Sequence, residues 1–227
     1  MICLNIIRQR LHNMKVADIR EYFISELAAE RFVQDKTGVK TIEMIGASFE
    51  ADEPTIFGEV NKEYVERELA WYHSKSLSVN DIPGKIPEIW KRVADKNGII
   101  NSNYGFLIWS EQNFNQYSNV VGELKNNPNS RRAIMIYNRP SMHYDYNQNG
   151  MSDFVCTNSV QYFIRDNVLE VVVSMRSNDV VYGYRNDFAW QDYIAELVQD
   201  ELKCNSRKII WQVGSLHVYE RHFKLVV

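Results

Sequence analysis

Two things are scarce in this chain of 227 residues: cysteine and any excess of positive charge. Cys3, Cys156 and Cys204 are odd in number and far apart, which supplies neither a disulfide framework nor paired zinc-ligand spacing. A reducing compartment, the cytoplasm, is the expectation, and no metal is implied. Lys+Arg 26 against Asp+Glu 29 leaves a formal net charge of −3, so no overall positive field exists to hold a polyanion non-specifically. Long apolar runs are missing as well. Met1-Ile2-Cys3-Leu4-Asn5-Ile6-Ile7 is too short for a signal peptide, and no stretch approaches membrane-spanning length. Neither an internal repeat nor a low-complexity tract is present. Export, membrane insertion and general nucleic-acid binding are thereby set aside.

What is present is an apolar content of 45%, enough for a substantial core, in a length that fits one domain across residues 1–227. Residues 1–14 are expected to be an extension. Val16, Ile19, Phe23 and Leu27 recur at three- and four-residue intervals and predict a helix over residues 15–32. Asp35-Lys36-Thr37-Gly38 predicts a turn, and residues 41–49 a strand. Helices are expected over residues 59–74, 88–95 and 112–126, with a loop over 76–87. Beyond Arg131 the pattern changes to strands at residues 132–138, 154–165, 169–176 and 208–219, interrupted by a helix over 188–202. Residues 142–153 read as a loop, and Asp166-Asn167 as a tight turn between strands. The fold class predicted is α+β, a large mixed or mostly antiparallel sheet packed against helices.

Several residue types in this frame carry chemistry. Cys156 is expected mid-strand, where cysteine ordinarily serves as a small hydrophobe. As a thiolate it would be a nucleophile, and neighbouring arginines would lower its pKa by stabilising that charge. Glu68 follows Tyr64 by four positions and precedes Trp71 and Tyr72 by three and four, so it shares a helix face with aromatics. Burial there would raise a glutamate toward working pH and suit it to acid/base work; a surface pair with Arg67 or Lys62 is the alternative. Arg131-Arg132 and Arg176-Ser177 offer guanidinium forks and a hydroxyl suited to a phosphate monoester, with Lys36 as a further cation. A solvated charge pair is the other reading of Arg131-Arg132. Asn186 or Asp187 is placed to cap the helix expected from Phe188. His217-Val218-Tyr219 alternates along a strand and puts imidazole and phenol on one face, within reach of a sugar hydroxyl, unless the histidine is simply satisfied in the core. His12, His73, His143 and His222 lack ligand-like spacing and receive no role.

Taken in order, Glu68-Leu69-Ala70-Trp71, Trp90, Asn103-Tyr104-Gly105, Arg131-Arg132, Cys156 with Gln161, Arg176-Ser177-Asn178-Asp179, Gly183 and His217-Val218-Tyr219 resemble the thymidylate synthase family. The likeness spans about residues 36–223 and is closer to the family's bacteriophage branch, the deoxycytidylate hydroxymethylases. It implies a thymidylate synthase-like fold and a homodimer. In that dimer Arg131 and Arg132 reach the phosphate bound by the neighbouring subunit, while Lys36, Arg176 and Ser177 act from the same chain. The resemblance further implies that Cys156 adds to C6 of a pyrimidine nucleotide, which Tyr104, Gln161, His217 and Tyr219 help to bind. Glu68 and Asp187 would manage protons. A reduced folate, 5,10-methylenetetrahydrofolate, would carry the one-carbon unit, with Asp179 on its pterin and Trp90 and Gly183 beside it.

In this family a uracil-reading member carries asparagine where this chain has Asp187. Cytosine presents an N3 acceptor beside an N4 amino donor, and uracil presents the reverse. A carboxylic group, one oxygen accepting from N4 and the other sharing a proton with N3, fits cytosine. Pairing of this kind rejects the mismatched base by roughly 10⁴-fold. The implied reaction converts dCMP, methylenetetrahydrofolate and water to 5-hydroxymethyl-dCMP and tetrahydrofolate in an infected host cell, where a phage nucleotide-precursor complex is a further expected partner. Val155 precedes the thiol where synthases usually have proline, and Tyr184-Arg185-Asn186 replaces a Leu-Pro-Phe-like stretch. Lys36 replaces an arginine, and Val93 stands where a tryptophan is common, which would loosen the folate pocket and admit water. The chain stops at Val227, whereas family members continue into a tail that closes over folate. Two alternatives therefore stand beside the leading expectation: a dUMP methylase or hydroxymethylase, and a non-catalytic nucleotide-binding subunit.

Overall fold

Alternating burial lays out a sheet around which everything else is packed. The protein, seen in a computed structural model that describes residues 14–227, has strands β1 (Val33–Gln34), β2 (Lys40–Glu50), β3 (Ile134–Ile136), β4 (Thr157–Arg165), β5 (Val168–Asp179) and β6 (Ser206–Tyr219). They form one sheet in the order β1-β2-β6-β5-β4-β3. Among these six strands β5 and β6 pair in parallel and the other neighbours are antiparallel. A parallel pair cannot be joined by a hairpin, so the chain crosses over through a long helix. The mixed sheet of an α+β fold is thus the one expected from the sequence.

The helices are α1 (Val16–Ala28), α2 (Lys62–Ser74), α3 (Glu88–Val93), α4 (Tyr104–Trp109), α5 (Gln116–Asn126), α6 (Met142–Asp145) and α7 (Gly183–Leu202). The crossover helix α7 packs on β5 and β6 and buries Trp190, Ile194, Ala195 and Val198. The side chain of Asn61 caps α2 by accepting from the Tyr64 N–H at 3.0 Å, and that of Asn103 caps α4 by accepting from the Phe106 N–H at 2.8 Å. Asn103 also donates to the carbonyls of Trp71 and Ser76, tying α4 to the end of α2. The two helices touch backbone to backbone. A Cβ on Gly105 would fall 1.9 Å from the Tyr72 carbonyl oxygen, so this position admits glycine alone.

The sheet is creased along one line. Leu169, Val171, Val173 and Met175 of β5 are buried, but the next buried position is Asn178. In β6 the buried series Ile209, Trp211 and Val213 gives way to Leu216, and in β2 the inward phase slips between Ile42 and Ala47. The ladders skip Gly46, Gly214 and Arg176, which lie between the pairs Ile45–Ser215 and Ala47–Val213 and between Met175–Val213 and Ser177–Ser215, while β4 shifts register between Thr157 and Ser159. Gly46 has φ +72°, and a Cβ on Gly214 would meet the Arg176 carbonyl oxygen at 2.8 Å. The Arg176 N–H donates to the Cys156 carbonyl at 2.9 Å, which places Cys156 on the same line.

Several sequence expectations shift. Cys156 is not mid-strand; it lies in a bend immediately ahead of β4. The helix expected from Phe188 begins at Gly183, so Asn186 and Asp187 sit inside its first two turns and neither caps it. Asp179 does that work, its Oδ1 accepting from the N–H groups of Val181, Tyr182 and Gly183. The first helix ends at Ala28, α2 starts at Lys62, and α5 starts at Gln116 after a short 3-10 turn, Glu111–Asn113. Residues 142–153 are not all loop, since α6 and a 3-10 turn, Gln148–Gly150, form there. Helix α4 was not expected. Asp166 and Asn167 do form the tight turn, with φ 49° and 61°. Cys3, His12 and the extension expected ahead of Met14 lie outside the described residues.

Candidate active site

Helix α2 turns Glu68, Trp71 and Tyr72 into the core, and Glu68 is only 7% exposed. The Tyr64 hydroxyl, one turn earlier, donates to Glu68 Oε1 at 2.6 Å, and Trp90 Nε1 donates to that hydroxyl at 3.3 Å. Burial lifts the Glu68 carboxyl to about 7, against the hydrogen bonds from Tyr64, Trp90 and Tyr72 that favour its ionised form. Glu68 is buried and makes no surface pair with Arg67 or Lys62; Arg67 donates to the carbonyls of Pro83 and Lys85 and lies 3.8 Å from Glu63. A proton acceptor poised near neutrality, in an aromatic wall, is what general acid/base chemistry needs.

Asp187 projects from α7 toward this wall. The Tyr104 hydroxyl donates to its Oδ1 at 3.2 Å, and the Asn178 amide donates to its Oδ2 at 2.7 Å. Asn178 cannot be turned the other way. Its Oδ1 accepts from Trp211 Nε1 at 3.3 Å, and an indole N–H only donates, so the amide NH₂ must face Asp187. On the other side Thr157 donates to the Tyr104 oxygen at 3.0 Å. Burial first, then the charge of Glu68, lifts the Asp187 carboxyl to about 7, while Tyr104 and Asn178 oppose the rise. Two carboxyls thus share one pocket, each held close to the midpoint of its titration at neutral pH.

Cys156 is half-buried, and Arg176 Nη2 lies 3.5 Å from its Sγ. Arg176 also donates through Nε to the Val155 carbonyl at 3.0 Å and through Nη2 to the Phe154 carbonyl at 2.6 Å, so the guanidinium is braced by the segment that carries the thiol. That segment is anchored by Asp153, whose carboxylate accepts from the N–H groups of Asn101 and Ser102 and from the Ser102 hydroxyl. Arg176 does lower the thiol's pKa, as expected of a neighbouring arginine, but burial outweighs it. Burial pushes Cys156 up to about 11; Arg176 pulls it down, but Asp187 and Asp153 push it further up. The thiol therefore keeps its proton until the charge around it changes.

The remaining predicted residues divide into two groups. His217, 8% exposed, stands edge-to-face with Tyr219 at 4.9 Å, as their alternation on β6 required, and Ser177 lies beside Arg176 on β5. Asp179 Oδ2 is buried without a hydrogen-bond partner among the described residues, 3.7 Å from His222 Nδ1, and Gly183 packs so closely that a Cβ there would lie 3.0 Å from Asn178 Nδ2. Lys36, Arg131 and Arg132 are exposed; Arg132 meets Glu123 at 3.1 Å, and Gln161 Nε2 donates to the Arg131 carbonyl at 2.8 Å. Arg131, Arg132 and Gln161 make no contact with Cys156, Asp187 or Glu68 of their own chain among the described residues. Sequence reasoning gave Tyr64, Thr157 and Asn178 no part, although Asn178 stands within the motif read for Arg176 and Asp179.

Residues 24–227 match the family described as Thymidylate synthase. Similar proteins include those named Deoxycytidylate 5-hydroxymethyltransferase from Enterobacteria phages T4 and T2, each 58% identical over 221 residues, which is 94% of this chain and 90% of the relative. The Thymidylate synthase of Buchnera aphidicola subsp. Baizongia pistaciae is 25% identical over 202 residues, 84% of this chain and 74% of that protein. Among the described residues no helix is long and apolar enough to cross a membrane, and no cluster of three or more His, Cys, Asp or Glu side chains is arranged to hold a metal.

Proposed function

The chain belongs to the thymidylate synthase family, and from that premise we propose that it is a hydroxymethyltransferase acting on dCMP. The observation that carries this reading is Asp187, whose two oxygens are fixed by Tyr104 and Asn178 and whose carboxyl is poised at about 7. Near neutrality such a group exists in both protonation states. It accepts from cytosine N4 with one oxygen and shares a proton with N3 through the other, a pairing that uracil, with N3–H and O4, does not offer. Protonation has a second effect. It removes one of the negative charges that hold the Cys156 thiol up, so reading the base favours the thiolate that attacks it.

In this mechanism Cys156 loses its proton and its sulfur bonds to C6; the C5–C6 π pair moves to C5, which becomes a carbon nucleophile. A bound reduced folate supplies the one-carbon unit. The buried Asp179 Oδ2, lacking a hydrogen-bond partner among the described residues, suits a ring N–H donor such as the pterin offers, and Trp90, which donates to Tyr64, would give the folate an aromatic border beside Glu68. Loss of the C5 proton and of tetrahydrofolate leaves an exocyclic methylene, and Glu68, hydrogen-bonded by Tyr64, orients water and takes its proton as oxygen bonds to that carbon. The electron pair that this addition returns to C5 then re-forms the C5–C6 double bond and expels the Cys156 sulfur.

Phosphate falls to Arg176, Ser177 and Lys36 from one chain and to Arg131 and Arg132 of a second copy. Exposure of Ile134 and Ile136, with an open groove of about 380 Å³ beside them that Phe154 also lines, supports a homodimer across this face. The deciding experiment is folate-dependent release of tritium from C5 of labelled dCMP and dUMP, with mass spectrometry of the product. Release from dCMP, little from dUMP, none in Cys156→Ala, and a product heavier by CH₂O is the expected result. Equal or faster release from dUMP would sink the role given to Asp187, and a methyl product would sink the hydration step.

A further inference from the structure

A second polar chain lies on β2 and β6, outside the Glu68–Asp187 wall. Glu43 is the cross-strand partner of His217, and Ser215, two residues earlier on β6, shares its face. The Ser215 hydroxyl donates to Glu43 Oε1. The Ser215 hydroxyl oxygen lies 3.4 Å from His217 Nδ1, and the Ser215 carbonyl oxygen lies 3.3 Å from that nitrogen. We propose that Glu43 and Ser215 are positioning residues that hold His217 as the Nδ1–H tautomer, leaving Nε2 as a bare acceptor that selects a substrate with a donor hydroxyl on its sugar.

A carboxylate only accepts, so the Ser215 proton points at Glu43 and the serine oxygen offers lone pairs to the imidazole. The Ser215 carbonyl also only accepts. With both neighbours of Nδ1 acting as acceptors, the ring proton belongs on Nδ1, and the partner of one ring nitrogen determines what the other can do. His217 is almost wholly buried and pinned by the Tyr219 ring, so the imidazole has little freedom to turn over. Nε2 then accepts from O–H. An imidazole in the opposite tautomer would present N–H and require the sugar oxygen to be an acceptor alone.

The proposal rests on the reading that His217 faces the nucleotide sugar, and its test separates the two. In the ligand-free full chain, ¹⁵N NMR of labelled histidine is expected to show His217 protonated at Nδ1, with Ser215→Ala and Glu43→Gln shifting population toward Nε2–H and Ser215→Thr retaining the wild-type signal. In the glutamine variant the amide donates to Ser215, which frees the serine proton for Nδ1. Calorimetric binding supplies the second arm. Ser215→Ala and Glu43→Gln are expected to weaken dCMP by about 3- to 10-fold, the scale of one hydrogen bond, and to leave 2′,3′-dideoxycytidine 5′-monophosphate unaffected. A wild-type His217 protonated at Nε2 overturns the proposal, as does an equal loss on both nucleotides. Failure of the wild type to bind dCMP overturns the dCMP reading instead, and the tautomer is still decided by the spectrum.

Discussion

The two sides of the candidate pocket are built to opposite rules. On the helix side, one hydrogen bond ties Tyr64 to Glu68, and a separate set ties Tyr104 and Asn178 to Asp187 and ends in the donor-only indole of Trp211. On the strand-edge side, Lys36, Arg131 and Arg132 stand exposed, and Arg132 is paired only with a surface glutamate. In the proposed reading, the groups that tell one base from another are fixed in advance, because an unpaired buried group is what rejects the wrong ligand. Groups that neutralise a phosphate need no such fixing; they wait for the anion, and in the proposed dimer for a second copy, to organise them.

The sharpest break in that contrast is Cys156→Ala, which is expected to abolish C5 tritium release by about 10⁴-fold or more, as removal of a nucleophile does, while leaving dCMP binding measurable by calorimetry. Next is Asp187→Asn. The ratio of kcat/KM for dCMP over dUMP is expected to fall by roughly 10³- to 10⁴-fold, and an unchanged ratio would show that the wall does not read the base. Tyr64→Phe removes a hydrogen bond that favours ionised Glu68, so that carboxyl rises further. The limb of the kcat profile governed by Glu68 should move to higher pH, with kcat at pH 7 lower by about tenfold.

The same wall carries a stability signature that the exposed rim lacks. Folded Glu68 keeps its proton to about 7, against an ordinary value of 4.5. A raised folded pKa gives stability that is complete below the unfolded value and lost as pH climbs through the folded one. Urea unfolding is therefore expected to show stability falling between about pH 4.5 and 7, with about 3 kcal/mol of that fall missing in Glu68→Gln. Arg132→Ala should be the mildest change, within about 0.5 kcal/mol in stability because its ion pair is exposed, yet it should raise the KM for dCMP. Mixing Cys156→Ala with Arg132→Ala protomers should recover activity above either alone if the arginine serves the neighbour's site.

Spacing made the wall partly legible. Tyr64, Glu68, Trp71 and Tyr72 fall on one face at helical intervals, and α2 buries the carboxyl as that pattern requires. The paired β6 residues His217 and Tyr219 were likewise readable from a two-residue period. Asp187 was harder to place, since the start of α7 is set by a carboxylate four residues before Gly183 rather than by a residue at the cap itself. Asn178 escaped notice because its partners, Asp187 and Trp211, lie on other elements, and nothing in a local window records them. Helix α4 has six residues, too few for a periodic signal, and depends on Asn103 and on contact with Tyr72.

The crease across β2, β6, β5 and the entry to β4 has a consequence for the sulfur. Cys156, Arg176, Gly214 and Gly46 fall along one line, so the position of the proposed nucleophile depends on four strands at once rather than on its own bend. A methyl group added at Gly214 would press on the Arg176 carbonyl without touching the thiol, yet the displacement would travel along the row and arrive there. Substitutions on distant strands are then, in effect, adjustments to the aim of a single atom.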